Sequence, residues 1–211
     1  MSQQNPIVYV VDDDSAIRET LSSLLRSVGL AVCGFASAAE FLAHARPDMP
    51  SCLVLDVRLP GQGGLEFQRQ LTASGDPIPV IFISGHGDIP MSVRAIKAGA
   101  LEFLTKPFRD QDLLDAIQAA ISRDSARRHG EHVTSALRQR YQTLSPRERQ
   151  VLALLLTGQQ SRLIAAAIGT SESTIKVQRM QVMRKMEASS LVELVRMADG
   201  LGLKAANASP G

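Results

Sequence analysis

The first half of the chain alternates short apolar runs with amphipathic stretches. The apolar runs lie at 7–11, 31–35, 52–55, 79–83 and 101–104. Between them, apolar residues recur at helical spacing, most clearly over 15–28 and 64–71. Five such β/α units in about 120 residues predict an α/β fold with a five-stranded parallel, doubly wound sheet covered by helices on both faces.

The second half shows helical patterns and cap signals instead. Ser145 is typical of an N-cap, with Pro146 at the first helical position and Glu148 completing a capping box. Gly158 is a plausible end for that helix. The pattern predicts a small all-α domain that begins near residue 143.

A short helix, a glycine turn and a longer capped helix follow. The short helix is predicted over 161–168, and Gly169 forms the turn. Ser171 caps a helix that reaches Met186, and a last amphipathic helix covers 190–199. This order is the helix-turn-helix pattern.

The domain organisation follows from these patterns. We expect an α/β domain over 1–122, a mostly helical linker over 123–142 and a helix-turn-helix domain over 143–204. The linker continues the preceding helix over 117–128, is interrupted at Gly130 and resumes over 131–141. Residues 205–211 are expected to be a disordered tail.

Composition limits the class of protein. With 45% hydrophobic and 21% charged residues, the chain resembles an ordinary globular protein. It has no apolar run near the roughly 20 residues of a membrane span and no signal-peptide pattern at its start. The two cysteines lie within apolar runs, which favours reduced thiols. A cytoplasmic location is therefore expected.

The charge is divided unevenly between the two halves. Residues 1–122 carry a net charge of −5, and residues 123–211 carry +7. An acidic half joined to a basic half suggests a cation as partner of the first and a polyanion as partner of the second. Chance surface charge is the alternative.

Polar residues stand at the ends of the predicted strands. Asp12 and Asp13 follow the first strand, Asp56 the third, Ser84 the fourth and Lys106 the fifth. In a parallel doubly wound sheet, the carboxyl ends of the strands border the crevice that binds ligands. All five side chains can therefore face one site.

Clustered carboxylates repel one another unless a cation lies between them. An oxygen-only set of ligands favours Mg²⁺. The ion is expected to bind Asp13, Asp56 and a backbone carbonyl, that of Arg58, with Asp12 acting through water. If the acidic residues served only as helix caps and turns, no cation would be needed.

One oxygen of Asp56 would remain free to attack phosphorus. Lys106 and the metal would offset the charge that develops on the phosphoryl oxygens, and the Ser84 hydroxyl could donate to them. Asp14 and Ser15 are expected to cap the first helix. The predicted chemistry is phosphoryl transfer.

Several motifs resemble a known family. The segments "VVDDD", "LVLDVRLPG", "ISGHGDIPMSVRAIKAGA" and "FLTKPF" resemble the receiver domain of two-component response regulators. The segments "LSPRERQVL" and "ESTIKVQRMQVMRKM" resemble the LuxR-type helix-turn-helix. In this order they resemble the NarL/FixJ family over most of the chain, and "GHGDIPM" is most similar to the FixJ/StyR type.

The resemblance implies a CheY-like receiver in which Asp56 accepts phosphate from a sensor histidine kinase. Asp12 and Asp13 would form the acidic pair, and Lys106 would contact the phosphoryl group. Ser84, which stands where many members have threonine, and Phe103 would form the switch pair. The Lys106–Pro107 peptide bond would be cis.

The resemblance also implies an output. Phosphorylation would promote a homodimer through the surface over 91–104, and the dimer would bind promoter DNA.

The helix over 172–186 has two faces. The residues of the inward stripe are Ile175, Gln178, Val182, Met183 and Met186. The residues expected to face DNA are Ser173, Thr174, Lys176, Val177, Met180 and Arg184. Arg162 and Lys185 are predicted phosphate contacts, and Arg179 is either a phosphate contact or part of an internal ion pair.

Some positions depart from the family pattern. Gln178 replaces the usual histidine, and its buried amide needs hydrogen-bond partners. "GQQSR" replaces the common "GLSNK", and Met180 is larger than the usual residue. These departures bear on the target sequence more than on DNA binding itself.

Two other functions compete with a transcription regulator. A Mg²⁺-dependent phosphohydrolase would need an acid/base two residues after its nucleophile, and Arg58 stands there, so no enzyme is predicted. A phosphorylation-independent interaction module would not need the complete set of five polar residues at the strand ends.

Overall fold

In the computed structural model, residues 5–85 and 89–203 are described. The chain forms two compact units, Met1–Arg128 and His129–Gly211. This division falls within the predicted linker. The predicted disordered tail over 205–211 lies outside the described residues.

The first unit is built on a five-stranded parallel sheet of order β2-β1-β3-β4-β5. The strands are β1 (Ile7–Val11), β2 (Ala31–Phe35), β3 (Ser51–Asp56), β4 (Val80–Ser84) and β5 (Glu102–Thr105). The helices between and after them are α1 (Ser15–Ser27), α2 (Ala38–Ala43), α3 (Gly64–Ala73), α4 (Ile89–Lys97) and α5 (Asp110–Gln142). The predicted α/β fold class is confirmed.

Alternate residues of each central strand enter two different cores. Tyr9 and Leu53 pack in one core with α2 and α3 residues, while Val8 and Cys52 pack in the other with residues of α1 and α5. Strands covered on both faces are apolar throughout, which explains the continuous apolar runs in the sequence.

Of the two residues predicted to cap the first helix, one does so and the other does not. Asp14 is the N-cap of α1, and its carboxylate accepts from the backbone N–H groups of Ala16 and Ile17. Ser15 is the first helical residue, so its expected capping role is wrong. Only the residue before the first helical turn has its side chain placed to reach those donors.

The last helix of the first unit, α5, is longer than expected. It has 33 residues and continues through Gly130, where the sequence predicted an interruption. One glycine costs a helix about 1 kcal/mol relative to alanine. A cost of this size does not end a helix that continues over residues 131–142 on the far side of the glycine.

As far as residue 203, where its described part ends, the second unit has four helices in addition to the end of α5. They are α6 (Pro146–Leu155), α7 (Ser161–Ala167), α8 (Glu172–Met186) and α9 (Leu191–Gly200). The capping box at Ser145 and Glu148 and the N-cap at Ser171 are confirmed. Gly158 and Gly169 have φ of +75° and +65°, a left-handed conformation that glycine adopts without strain.

The inward stripe of α8 packs as the helical spacing predicts. Ile175, Val182 and Met186 are buried, whereas Gln178 and Met183 are partly buried. The Gln178 Oε1 atom is buried and accepts no hydrogen bond from any residue that the structure describes. The amide is therefore the least well satisfied group of the α8 stripe.

A buried acid joins α5 to the start of β3. Asp124 is 1% exposed, and its Oδ2 accepts from the Ser51 backbone N–H at 3.0 Å and from Arg128 Nε at 2.7 Å. Its Oδ1 accepts from Arg127 at 2.6 Å. Burial favours the neutral form, but the hydrogen bonds from Arg128 and Arg127 outweigh it and lower the pKa of Asp124.

Replacing Asp124 with alanine should lower the free energy of unfolding by about 3 kcal/mol at neutral pH, because the buried Ser51 N–H and the partly buried Arg127 and Arg128 guanidinium groups lose their acceptor. Because the pKa is lowered on folding, this stabilisation is present above the ordinary aspartate pKa of about 3.9. It is lost as the pH falls through the lower folded-state value. Denaturant unfolding at neutral and acidic pH measures both effects.

Asp112→Ala is the matched control. It removes an exposed α5 carboxylate that pairs with Arg109, so it should change stability little. Equal losses in the two variants, or a loss for Asp124→Ala that persists in acid, would contradict the assignment.

Candidate functional site

The carboxyl edge of the sheet brings the predicted polar residues together. Asp12 and Asp13 follow β1 directly, Asp56 is the last residue of β3, and Ser84 is the last of β4. Lys106 follows β5 and donates its backbone N–H to the Ser84 carbonyl at 2.8 Å. Because β1 pairs directly with β3, and β3 with β4, these strand ends are neighbours in space.

Three carboxylates form the centre of the site. Asp12, Asp13 and Asp56 each place an oxygen within 4.8 Å of the others. Asp12 is 1% exposed and Asp56 8% exposed, whereas Asp13 is open to solvent. The site is therefore a pit with two buried acids and one acid at its rim.

Lys106 supplies the positive charge of this site. Its Nζ lies 2.9 Å from Asp12 Oδ2 and 3.8 Å from Asp56 Oδ1. The Lys106–Pro107 peptide bond is cis, as the family resemblance implied. One ammonium faces three carboxylates, so the cluster keeps an excess of negative charge.

The pKa of Asp56 is raised by its surroundings. Burial is the main cause, Lys106 acts in the opposite direction, and the charges of Asp12 and Asp13 raise the pKa further. A second cation in the pit would act in the same direction as Lys106 and favour the carboxylate form of Asp56.

Both oxygens of Asp12 already accept hydrogen bonds. Oδ1 accepts from the Asp14 backbone N–H at 2.9 Å, and Oδ2 accepts from Lys106. Arg18 donates to the Asp12 carbonyl at 2.6 Å and holds the backbone after β1. Asp12 is thus more committed to protein partners than Asp13 is.

The sequence analysis missed two residues that shape this site. Arg18 is one, and its position one turn into α1 is the only sequence signal for it. Gly64 is the other: a Cβ there would lie 2.2 Å from the Asp56 carbonyl oxygen. The first turn of α3 can pack against the end of β3 only because residue 64 lacks a side chain. The two consecutive glycines at 63 and 64 could have indicated this close approach from the sequence.

The remaining predicted residues of this unit lie on β4, on β5 and shortly after β3. Ser84 is fully buried, one position beyond Ile83, which pairs with Asp56. Phe103 is half-buried, with its ring centroid 6.3 Å from that of Phe82. Arg58 lies two residues past Asp56 with an exposed side chain. Their roles in phosphate chemistry and switching stay predictions.

A second candidate site lies on α8. The side chains predicted to face DNA are all exposed, namely Ser173, Thr174, Lys176, Val177, Met180 and Arg184. Arg162, near the start of α7, and Arg179 are exposed as well. An exposed mixture of basic, short polar and apolar groups on a helix opposite its packed stripe suits a DNA major groove.

Lys185 differs from the other predicted contacts of α8. Its ammonium lies 2.7 Å from Glu148 Oε2 and 3.2 Å from the Thr143 carbonyl oxygen. An ammonium held by an acid of the same unit is a poor match to the DNA phosphate contact predicted for Lys185.

Comparison with known families identifies the class of protein. Residues 8–118 match the response regulator receiver domain, and residues 142–198 match the bacterial regulatory proteins of the luxR family. The chain therefore belongs to the response regulators that join a receiver domain to a LuxR-type DNA-binding domain. This is a family of transcription regulators.

Individual relatives agree with this assignment. Nodulation protein W of Bradyrhizobium diazoefficiens is 52% identical over 199 residues, which cover 94% of this chain and 88% of that protein. Transcriptional regulatory protein FixJ of Azorhizobium caulinodans is 47% identical over 191 residues, 90% of each chain. The solved structure of the response regulator StyR is 48% identical, with a TM-score of 0.86, and covers 92% of this chain and 98% of that one.

The carboxylate cluster fits the metal that receiver domains bind through an acidic pocket. Its donors are oxygens alone, they lie within reach of a single ion, and Asp13 faces solvent, from which a hydrated ion can enter. Hard oxygen donors with room for water are the ligands that Mg²⁺ prefers. Separately, none of the helices within 5–85 and 89–203 has the length and apolarity needed to cross a membrane.

Asp13→Asn should weaken Mg²⁺ binding by at least about tenfold, because it removes a charged ligand from an ion that demands close oxygen coordination. Calorimetric titration of Mg²⁺ into the wild type and the variant measures this. Asp14→Asn is the control, since asparagine also caps a helix and Asp14 lies outside the cluster. Equal affinities for wild type and Asp13→Asn would overturn the metal assignment.

Proposed function

We propose that this response regulator is switched by phosphorylation of Asp56 by a sensor histidine kinase in the cytoplasm, and that the phosphorylated form dimerises and binds promoter DNA. One observation carries the proposal. The pit that holds Asp12, Asp13, Asp56 and Lys106 stands in the same chain as an exposed basic face on α8.

The phosphoryl transfer uses Asp56 as nucleophile. One carboxylate oxygen attacks phosphorus, the new O–P bond forms as the P–N bond of the kinase phosphohistidine breaks, and the electron pair returns to the imidazole nitrogen. Lys106, 3.8 Å from Asp56 Oδ1, stabilises negative charge on the phosphoryl oxygens. The Ser84 hydroxyl, which is buried in the free protein, would move to donate to them after transfer.

Mg²⁺ would be held by Asp13, Asp56 and the Arg58 carbonyl, and when bound it supplies positive charge beside the phosphoryl group. Asp12 acts through water, which agrees with both of its oxygens already accepting hydrogen bonds.

A groove beside Lys106 suits the kinase. It runs between α1 and the segment after β5, and its apolar lining includes Ile17, Leu21, Leu24, Pro107 and Phe108. An amphipathic helix of the kinase can pack its apolar side there and bring a phosphohistidine towards the neighbouring pit.

The output surface is the face of α4. Ile89, Val93 and Ile96 are 81%, 44% and 46% exposed, and their spacing places them on one side of the helix. When Ser84 moves towards a phosphoryl group, Phe103 can turn inward and alter the surface over 91–104. An exposed apolar patch of this kind suits a second copy of the chain.

Binding of DNA is proposed to occur through α8. Ser173, Thr174, Lys176, Val177 and Met180 face the bases, while Arg162 and Arg184 contact base edges or phosphates. Two copies of α8 in a dimer would read two half-sites.

We propose no enzymatic activity beyond this phosphoryl acceptance and the loss of the phosphoryl group. Steady turnover of small phosphate esters would favour the rival phosphohydrolase. Failure of acetyl phosphate with Mg²⁺ to label Asp56 would favour the rival interaction module that works without phosphorylation.

Beryllofluoride, a phosphate mimic, should convert the wild type from mostly monomer to partly dimer, because Asp56 gains a phosphoryl-like group. A full change from 1:99 to 99:1 would need about 5.5 kcal/mol of differential binding, so we expect a partial shift. Asp56→Asn should stay monomeric. Sedimentation velocity measures the populations.

Val93→Glu is the companion variant for this experiment. It places a charge on the α4 face without touching the pit, so it should bind beryllofluoride yet remain monomeric. An unchanged monomer–dimer equilibrium in the wild type would rule out the dimerisation mechanism.

Lys176→Ala should weaken binding to an operator selected in vitro by about 1–3 kcal/mol and relax the base preference at one position. The ion pair of Lys176 with Glu172 is exposed, so it is easily exchanged for a base contact. Arg196→Ala, which removes an exposed cation from α9, is the matched control for charge. If Lys176→Ala and Arg196→Ala had the same effects on binding to operator and to random DNA, the side of α8 assigned to face DNA would be wrong.

A further inference from the structure

The last turn of α8 is joined to two other helices by acid–base pairs. Lys185 Nζ contacts Glu148 of α6 at 2.7 Å and the Thr143 carbonyl at 3.2 Å. Glu187, directly after α8, pairs with Arg140 near the end of α5 at 2.5 Å. The carboxyl end of the DNA-facing helix therefore has ionic contacts with α6 and with α5, of which the Lys185–Glu148 pair is the less exposed.

Glu148 has two functions at once. Its side chain is only 9% exposed, and its Oε2 accepts from the Ser145 backbone N–H at 2.7 Å as well as from Lys185. Lys185 and the Ser145 N–H together hold the pKa of Glu148 below its usual value. The oxygen that caps α6 is thus the one that holds α8.

The backbone directly after α8 has a conformation that is uncommon for a residue other than glycine. Glu187 has φ 56° and ψ 35°, and among the described residues it alone has a positive φ without being glycine. Its backbone N–H returns to the Arg184 and Met183 carbonyls. A non-glycine residue in this conformation is strained, and here the N–H groups of Glu187 and Ala188 donate to the Arg184 and Met183 carbonyls and end the helix around it.

We propose that Lys185 and Glu148 are positioning residues that set the direction of α8, and through it the preference for operator over other DNA. An ammonium has three donors, and two of them point at Glu148 and Thr143. The base-facing residues Lys176 and Met180 lie on the same helix, so a change of its angle moves them all.

The inference rests on the DNA-binding function of the LuxR-type domain, and it replaces the expected phosphate contact of Lys185. The positioning role and the phosphate-contact role of Lys185 predict opposite effects on DNA binding when the charge of Glu148 is removed. If Lys185 positions α8, loss of the Glu148 charge weakens operator binding. If Lys185 contacts phosphate, loss of that charge frees the ammonium and strengthens binding to every DNA.

The test uses the full chain with a selected operator and a random duplex. Glu148→Gln is the central variant, because glutamine can still complete a capping box. Glu148→Gln and Lys185→Met should each weaken operator binding about tenfold, comparable to one mismatched base pair, and change binding to random DNA far less. The double variant should be no weaker than either single one.

Two further measurements separate positioning from a phosphate contact. The salt slope should be unchanged in Lys185→Met, whereas loss of a phosphate contact reduces it by about one. Lys185→Arg, which keeps the charge and can still pair with Glu148, should recover most of the operator preference. Arg196→Met, an exposed cation of α9, is the control for loss of charge.

Three results would overturn the inference. The first is tighter binding by Glu148→Gln. The second is a salt slope lowered by one in Lys185→Met. The third is an unchanged ratio of operator to random affinity with only a lower melting temperature, which would make the pair purely structural. If the wild type itself shows no preference for any selected DNA, the DNA-binding function fails instead.

Discussion

Repulsion among three carboxylates is the constraint on which the receiver depends. Asp12, Asp13 and Asp56 lie within 4.8 Å of one another, and two of them are buried, where like charges repel more strongly than in water. Lys106 offsets only part of that charge. The excess makes the pit attractive to a divalent cation. Burial raises the pKa of Asp56, and the charges of Asp12 and Asp13 raise it further. A site of this kind is costly to the free protein and is stabilised by the ligands it is proposed to bind.

The sheet holds the acids in place against this repulsion. Strand order reverses at β1, which lies between β2 and β3, and ligands of doubly wound sheets bind at such a reversal. Direct pairing of β1 with β3 brings Asp12 and Asp56 to one edge, and Gly64 lets α3 approach that edge closely. β1 and β3 are buried almost throughout, and their pairing places Asp12 and Asp56 side by side despite their like charges.

The second unit presents an exposed helix face, whereas the first unit presents a recessed site. Its core fixes α8 through Ile175, Val182 and Met186, while the Lys185–Glu148 and Glu187–Arg140 pairs hold the end of the helix. Apolar packing defines which face of α8 is exposed, and the ionic contacts define its direction.

Local spacing determined much of this protein from the sequence alone. Strand-end residues, the Asp14, Ser145 and Ser171 caps and the two faces of α8 all follow from periods of two or 3.6 residues and from cap chemistry. The strand-end pattern already predicted that Lys106 and Asp12 share one edge of the sheet, but only the tertiary structure decided that Lys185 meets Glu148 and that Asp124 meets Ser51. The partners in these two pairs are 37 and 73 residues apart, and no local pattern records such a pairing. The sequence does not distinguish an ionic side chain that will face solvent from one that will contact DNA or a buried acid. Its partner depends on how separate elements pack.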